Sequence, residues 1–267
     1  MAGIINVVTS VKGNANSAQH PVLNNDAGKI IGLIGQSNQS SRAIISEIPS
    51  EYSYLNSTVT TTKIYNYSLN VLQNLIPGST LQGDQSVAEF GFELPIGHHI
   101  NSSNNFILKK AHGGSITANV AGTVKGSWNV NIANEYYANY KLRYTALYNL
   151  LKQSYDVVGM KALVIWVGES DAENENYSLD HEQNVKDIIL GLRAFTGWNF
   201  KAIIIRINYP GAAYRDNVRG GEDNLALTVP NCIVIDSDSK ALQDYVHVGE
   251  LGIIELGLVV TNILNSF

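Results

Sequence analysis

The chain has 267 residues, 45% of them hydrophobic and 15% charged, with a net charge of −5. That balance excludes an intrinsically disordered chain, which could not bury enough apolar surface to fold, and the net negative charge argues against nucleic acid or an anionic membrane as partner. The one cysteine, Cys232, excludes an intramolecular disulfide and, inside the apolar run "NCIVID", reads as a buried structural thiol.

The first 28 residues are polar and irregular and read as an N-terminal arm, leaving 29–267 as a single domain. The start carries no basic stretch followed by a long apolar one, as a signal peptide would, and no run approaches the length of a membrane span. The localisation is not fixed by these features; the expectation they raise is a cytoplasmic chain or one associated with a larger particle, such as a virus.

From residue 29 the elements follow in order. "KIIGLIG" (29–35) is a strand-length apolar run that stops at Gly35 and gives way to Gln36, Ser37 and Asn38. The 48–88 region, rich in Thr, Ser, Tyr and Asn, fits a loop or a short hairpin over a sheet edge. Further apolar runs follow at 105–111, 160–167, 201–208 and 232–238. Most are rich in Val and Ile and do not alternate, the pattern of strands buried on both faces of a parallel sheet. Between them, 134–159 and 178–198 have helical spacing, the second with Ser178 as a plausible N-cap and a stop near Gly197. The C-terminal "GELGIIELGLVVTNILNSF" is an amphipathic helix. Alternating strand and helix predict an α/β fold, a three-layer α/β/α sandwich around a mainly parallel sheet of about five strands.

Ligands in such folds bind beyond the carboxyl ends of the strands, so the residues there carry the functional reading. After the first strand comes "GQSN" (35–38), which either caps the next helix or presents a nucleophile. It is not a G-x-S-x-G elbow, because position 39 is Gln. After the third run comes "VGESD" (167–171), either a solvated acidic turn or a source of carboxylates. After the last comes "DYVH" (244–247), with Asp244 three residues before His247. A serine becomes a useful nucleophile only when a histidine takes its proton, and the histidine needs a carboxylate to fix its tautomer. Serine, histidine and carboxylates at strand ends therefore fit one chemistry, acyl transfer. N–H groups at a helix start would then sit beside the reacting carbonyl.

In order along the chain, "GQSN", "FGFELPIG" (90–97), "KKAHGGS" (109–115), "GESD" (168–171) and "DYVH" resemble the blocks of the SGNH hydrolase superfamily. The nearest branch is the sialate O-acetylesterase and acetylxylan esterase-like group. The resemblance runs from about residue 29 to 258 and implies a flavodoxin-like hydrolase fold. It implies Ser37 as nucleophile, His247 as general base and Asp244 as the residue orienting His247, with Glu169 as an alternative or second acid partner. The backbone N–H groups of Ser37 and Gly91 would supply two oxyanion donors, and Gln36, Asn38, Gly114 and Ser115 belong to the oxyanion and substrate-binding set. One departure stands out. The family carries Gln immediately before "GESD", and its amide is the third oxyanion donor; here that position is Val167. Losing one such donor costs about 10²–10³ in rate. Asn38 and Asn129 are candidate replacements.

The implied activity is removal of acetyl or another small acyl group from an O-acylated carbohydrate by an acyl-enzyme route, with no metal and no organic cofactor. The alternative is a catalytically weak or inactive glycan-binding or structural module on the same fold. A lipase or thioesterase ranks last, since no long apolar lid segment is present. Trp128 lies on a polar loop and could stack on a sugar or anchor the loop. His98 and His99, adjacent in sequence, cannot share a metal from one helix face. His112 borders the Gly-Gly turn.

Overall fold

Seven strands form one sheet in the computed structural model, which describes residues 23–40, 42–78 and 86–267. Residues 1–22, most of the expected N-terminal arm, lie outside the described residues. The five apolar runs all become strands. The first is β1 (Gly28–Gly35), buried along its whole length. After it come α1 (Ser37–Ser40), the short strand β2 (Ala43–Ile44), β3 (Val59–Asn66) and β4 (Val71–Leu75). Next are β5 (Glu89–Phe90), α2 (Glu93–His99), β6 (Asn105–Ala111), α3 (Tyr136–Leu151) and β7 (Val158–Trp166). The chain ends with α4 (Glu175–Thr196), β8 (Lys201–Ile205), α5 (Arg215–Thr228), β9 (Cys232–Ile235) and α6 (Glu250–Asn265).

The strand order is β4-β3-β6-β1-β7-β8-β9, and every pairing is parallel except β3 with β4. The sheet therefore has seven strands rather than the expected five. The two additions are the Thr- and Tyr-rich hairpin β3–β4, which docks on β6 through Lys63 and Ile64. Its outer strand is half-exposed, so it lacks the continuous apolar run that marks the interior strands. A separate two-stranded antiparallel piece joins β2 to β5.

Helices cover both faces. Ile31 and Leu33 of β1 point into one core layer, shared with Leu94 and Ile96 of α2 and with Ile253, Ile254 and Leu256 of α6. Ile30 and Ile34 point into the other, shared with Tyr140 and Leu147 of α3 and Val185, Ile188 and Leu192 of α4. The tyrosines at helical spacing in 134–154 thus pack the core, as Tyr137, Tyr140 and Tyr144 are all buried. The α4 helix begins one turn earlier than Ser178. Its cap is Asn174, whose side chain accepts from the Tyr177 N–H at 3.2 Å, while the Ser178 hydroxyl donates back to the Glu175 carbonyl. It ends as expected, with Gly197 left-handed at φ 73°. Cys232 is buried among apolar groups, and burial pushes its thiol up to about 12.

Candidate active site

The first strand ends where the sheet forks. Gly35 pairs on one side with Ala111 of β6 and on the other with Trp166 of β7, the two strands that the chain reaches by crossing to opposite sides of β1. This is the switch point at which α/β sheets open a crevice. Gly35 has φ +154°, and a Cβ there would lie 1.9 Å from the Trp166 carbonyl oxygen, so no other residue fits. The chain is held against β7 by the Gln36 N–H donating to that carbonyl at 3.0 Å, and Ser37 begins α1. The helix expected after Ser37 is a single turn of four residues, after which the chain is drawn into β2.

Ser37 lies in a cleft of about 320 Å³ whose walls include Gln36, Gly114, Glu169 and His247. The strand-end turns thus bring together residues separated by most of the sequence. The Ser37 side chain makes no hydrogen bond among the described residues, and His247, from the loop before α6, is on the same cleft wall set.

Asp244 organises that loop. One carboxylate oxygen accepts from the backbone N–H groups of Val246 and His247, both at 2.7 Å, and the other lies 2.6 Å from His247 Nδ1. Burial alone would raise the Asp244 carboxyl, but these N–H groups and the His247 ring outweigh it and hold the carboxyl below its ordinary range. A carboxylate on Nδ1 puts the proton of a neutral imidazole there and leaves Nε2 as an acceptor.

Glu169 takes a different partner. Its Oε1 accepts from Asn38 Nδ2 at 2.6 Å; its Oε2 is buried with no hydrogen-bond partner among the described residues. Burial pushes its carboxyl above the ordinary range, with the Asn38 bond pulling the other way. The Asn38 amide also donates to the Val246 carbonyl at 3.1 Å and accepts from the Val248 N–H at 3.0 Å. Asn38 therefore grips the backbone on both sides of His247, and Glu169 anchors Asn38. The last residue of "GESD", Asp171, is completely buried. It accepts from the Thr117 N–H at 2.9 Å and the Thr117 hydroxyl at 3.0 Å, and lies 3.0 Å from His181 Nδ1. It ties the Gly-Gly-Ser turn to α4. Gly168, at φ +137°, lets the "GESD" turn pass close to α4: a Cβ there would lie 2.9 Å from the His181 ring.

The remaining expected residues lie as follows. Gly91 is buried, and its N–H donates to Glu93 Oε1 at 3.1 Å; Glu93 in turn pairs with the fully buried Lys109 at 2.9 Å. Val167 is 3% exposed and packs in the core layer beneath α3 and α4. The Ser115 hydroxyl accepts from Trp128 Nε1 at 3.2 Å, so Trp128, 1% exposed, is an anchor for its loop rather than a sugar platform. The Asn129 amide donates to the Thr117 carbonyl and to Asn184, which uses both of its hydrogens away from Ser37. Trp166 stacks on Phe92 in the core. His112 packs on Tyr136, and His99 bonds the Tyr54 hydroxyl at 2.7 Å.

The cleft also has walls that the motifs did not mark: Arg42, Lys125, Glu173, Tyr209 and Tyr245. Tyr245 sits inside "DYVH" and is 72% exposed at the cleft mouth, beside Tyr209. Only its place between Asp244 and His247 could have pointed to it. Arg42 and Lys125 come from loops with no recognisable spacing. A larger groove of about 610 Å³, between the ends of α3 and α4, contains none of the expected site residues. Among the described residues, no group of three or more His, Cys, Asp or Glu side chains is placed to hold a metal ion, and no helix is long and apolar enough to cross a membrane.

The family model described as "Carbohydrate esterase, sialic acid-specific acetylesterase" matches residues 27–265. Solved structures share the fold at low identity. A protein from Arabidopsis thaliana superposes with a TM-score of 0.71 at 17% identity, covering 90% of this chain and 98% of its own. NanS gives 0.68 at 12% identity, covering 92% and 99%. A carbohydrate acetylesterase from Xanthomonas citri gives 0.58 at 11% identity, covering 89% of this chain and 55% of its own. A search of curated proteins returned no match.

Proposed function

The chain belongs to the sialic acid-specific acetylesterase family of carbohydrate esterases and is a carboxylic ester hydrolase; on that footing, we propose that it removes O-acetyl groups from carbohydrate through a covalent acyl-enzyme on Ser37. The observation that carries this reading is His247 on the wall of the cleft that Ser37 also lines, with Asp244 2.6 Å from its Nδ1.

Ser37 Oγ attacks the acetyl carbonyl while His247 Nε2 takes the hydroxyl proton. Asp244 keeps the other imidazole proton on Nδ1 and stabilises the imidazolium. Collapse of the tetrahedral intermediate breaks the bond to the sugar oxygen, which leaves with the proton from His247. Water, deprotonated by His247, then attacks the acyl-enzyme and releases acetate. The Ser37 N–H lies at the attack point and donates to the oxyanion. Asn38 holds His247 in place by fixing Val246 and Val248, and Glu169 supports Asn38 rather than His247, so the base is oriented by Asp244. The exposed ring of Tyr245, with the half-buried Tyr209 beside it, suits the apolar face of a sugar at the cleft mouth.

The test is acetate release from a panel of O-acetylated glycans and from p-nitrophenyl acetate. Ser37→Ala should lower kcat by roughly 10⁶-fold. Wild-type rates in that variant would overturn the assignment. A competing reading, a catalytically weak glycan-binding module, draws on Val167 and on the engaged Gly91 N–H; it predicts saturable glycan binding without appreciable acetate release by the unaltered chain.

A further inference from the structure

Three oxyanion donors are expected by resemblance, yet this chain offers them unevenly. The Ser37 N–H stands at the start of α1, the Gly91 N–H is spent on Glu93 at 3.1 Å, and the third position is Val167, whose side chain lies in the core. Neither proposed replacement is available. Asn38 commits both amide hydrogens to Glu169 and the Val246 carbonyl, and Asn129 commits both of its own to Thr117 and Asn184. A tetrahedral intermediate left with a single donor would be poorly stabilised, because the oxyanion term is among the largest in acyl transfer.

One amide in the cleft is differently placed. Gln36, the residue before the nucleophile, is 2% exposed and lines the cleft beside Ser37. Its Oε1 accepts from two backbone donors of the "GESD" turn, the N–H groups of Gly168 at 3.4 Å and Ser170 at 3.3 Å. Two N–H donors on that side fix the orientation of the amide, since a flipped Gln36 would set its own NH₂ against them. The Nε2 group is then the other end of a pinned side chain, and it has no protein acceptor among the described residues. A buried amide with anchored oxygen and unused hydrogens, next to the attacking hydroxyl, has the form of a preorganised donor.

We propose that the Gln36 side-chain NH₂ is the side-chain oxyanion donor of this enzyme, standing in for the glutamine that Val167 replaces. The assignment rests on the esterase reading above. Its physical content is that Gln36 Nε2–H bonds the carbonyl oxygen as it becomes negative, more strongly than in the bound ester, so its loss appears in kcat rather than in KM.

The experiment uses the full chain with p-nitrophenyl acetate. Gln36→Glu keeps an oxygen for Gly168 and Ser170 but puts a second carboxylate oxygen where the NH₂ was. Gln36→Met removes the amide. Both should lower kcat by about 10²–10³-fold with KM within about threefold of wild type. Either variant retaining kcat within about threefold, or a loss confined to KM, overturns the proposal. A second measurement does not depend on the variants folding. A p-nitrophenyl alkylphosphonate reacts with Ser37 so that Oγ bonds phosphorus and p-nitrophenolate leaves, which places an anionic oxygen where the oxyanion forms. The assigned Gln36 side-chain amide proton resonances of the wild-type chain should move downfield on this reaction, and unchanged resonances overturn the proposal. If Ser37→Ala is fully active, the esterase reading itself fails. If Ser37→Ala is inactive and Gln36→Glu is not impaired, only the role of Gln36 fails.

Discussion

Two carboxylate–histidine pairs in this molecule look alike on paper and live in different worlds. Asp244 and His247 lie 2.6 Å apart, with side chains 40% and 22% exposed. Asp171 and His181 lie 3.0 Å apart, with side chains 0% and 1% exposed. In the first pair His247 lines the cleft, where the proposed base keeps Nε2 for a reacting proton. The second is sealed between the Gly-Gly-Ser turn and α4, where every bond Asp171 makes goes to protein. Chemistry needs access and a spare lone pair; a brace needs neither. A carboxylate beside a histidine is therefore not by itself a mark of catalysis, and the difference lies in what the second nitrogen can reach.

The contrast can be broken by substitution. Asp244→Asn should lower kcat by roughly 10²–10⁴-fold, because the amide no longer fixes the Nδ1–H tautomer or stabilises the imidazolium. Its loss of stability should be small beside that of Asp171→Ala, since the lost charge is half-exposed; a large drop in stability with kcat intact would reverse the roles given to the two pairs. Asp171→Ala should do the opposite. It strands the Thr117 N–H, the Thr117 hydroxyl and His181 Nδ1 in the interior, at about 1–3 kcal/mol for each buried group left unsatisfied. Denaturant titration should show a loss of several kcal/mol, and kcat per folded molecule should fall far less than in Asp244→Asn.

The smallest effect separates Asp244 from the third acid, Glu169, by pH. Burial raises the Glu169 carboxyl above its unfolded value of about 4.5, so the folded state holds its proton more tightly than the unfolded state does. The stability this contributes is fully present below about pH 4.5 and is lost as pH rises through the raised value. Asp244 has the opposite sign: held below 3.8, it contributes stability above that value and loses it as pH falls. Glu169→Gln should thus be most destabilising relative to wild type in acid, with the gap narrowing toward neutral pH. A gap that widens on raising the pH would mean that Glu169 works as a charged partner of His247.

Much of this was legible in the sequence because the interior strands leave no choice. "KIIGLIG" and "KAIII" are buried on both faces, and a run of Ile with no polar position cannot be anything exposed. The hairpin β3–β4 is less legible because edge strand β4 is half-exposed and β3 interrupts its buried positions with Thr60, Thr61, Lys63 and Asn66. Helix α5 gave no strong signal because Gly220 and Gly221 interrupt an otherwise polar stretch. At the site, the order of "GQSN", "GESD" and "DYVH" pointed to the turns after β1 and β7 and to the loop before α6. What residue order cannot express is which amide hydrogens are already spent. Asn38 and Gln36 sit two positions apart with the same functional group, yet Asn38 is fully engaged and Gln36 has its NH₂ unused.

The Asn38 clasp has a consequence in time as well as in space. It joins residues 208 and 210 positions apart, so the cleft does not exist until both ends of the described chain have met. Contacts of such separation close late, after the locally connected layers have formed. On refolding, helix content and core fluorescence should return before esterase activity does. Within one sheet, the proposed catalytic cleft is the last part to be assembled.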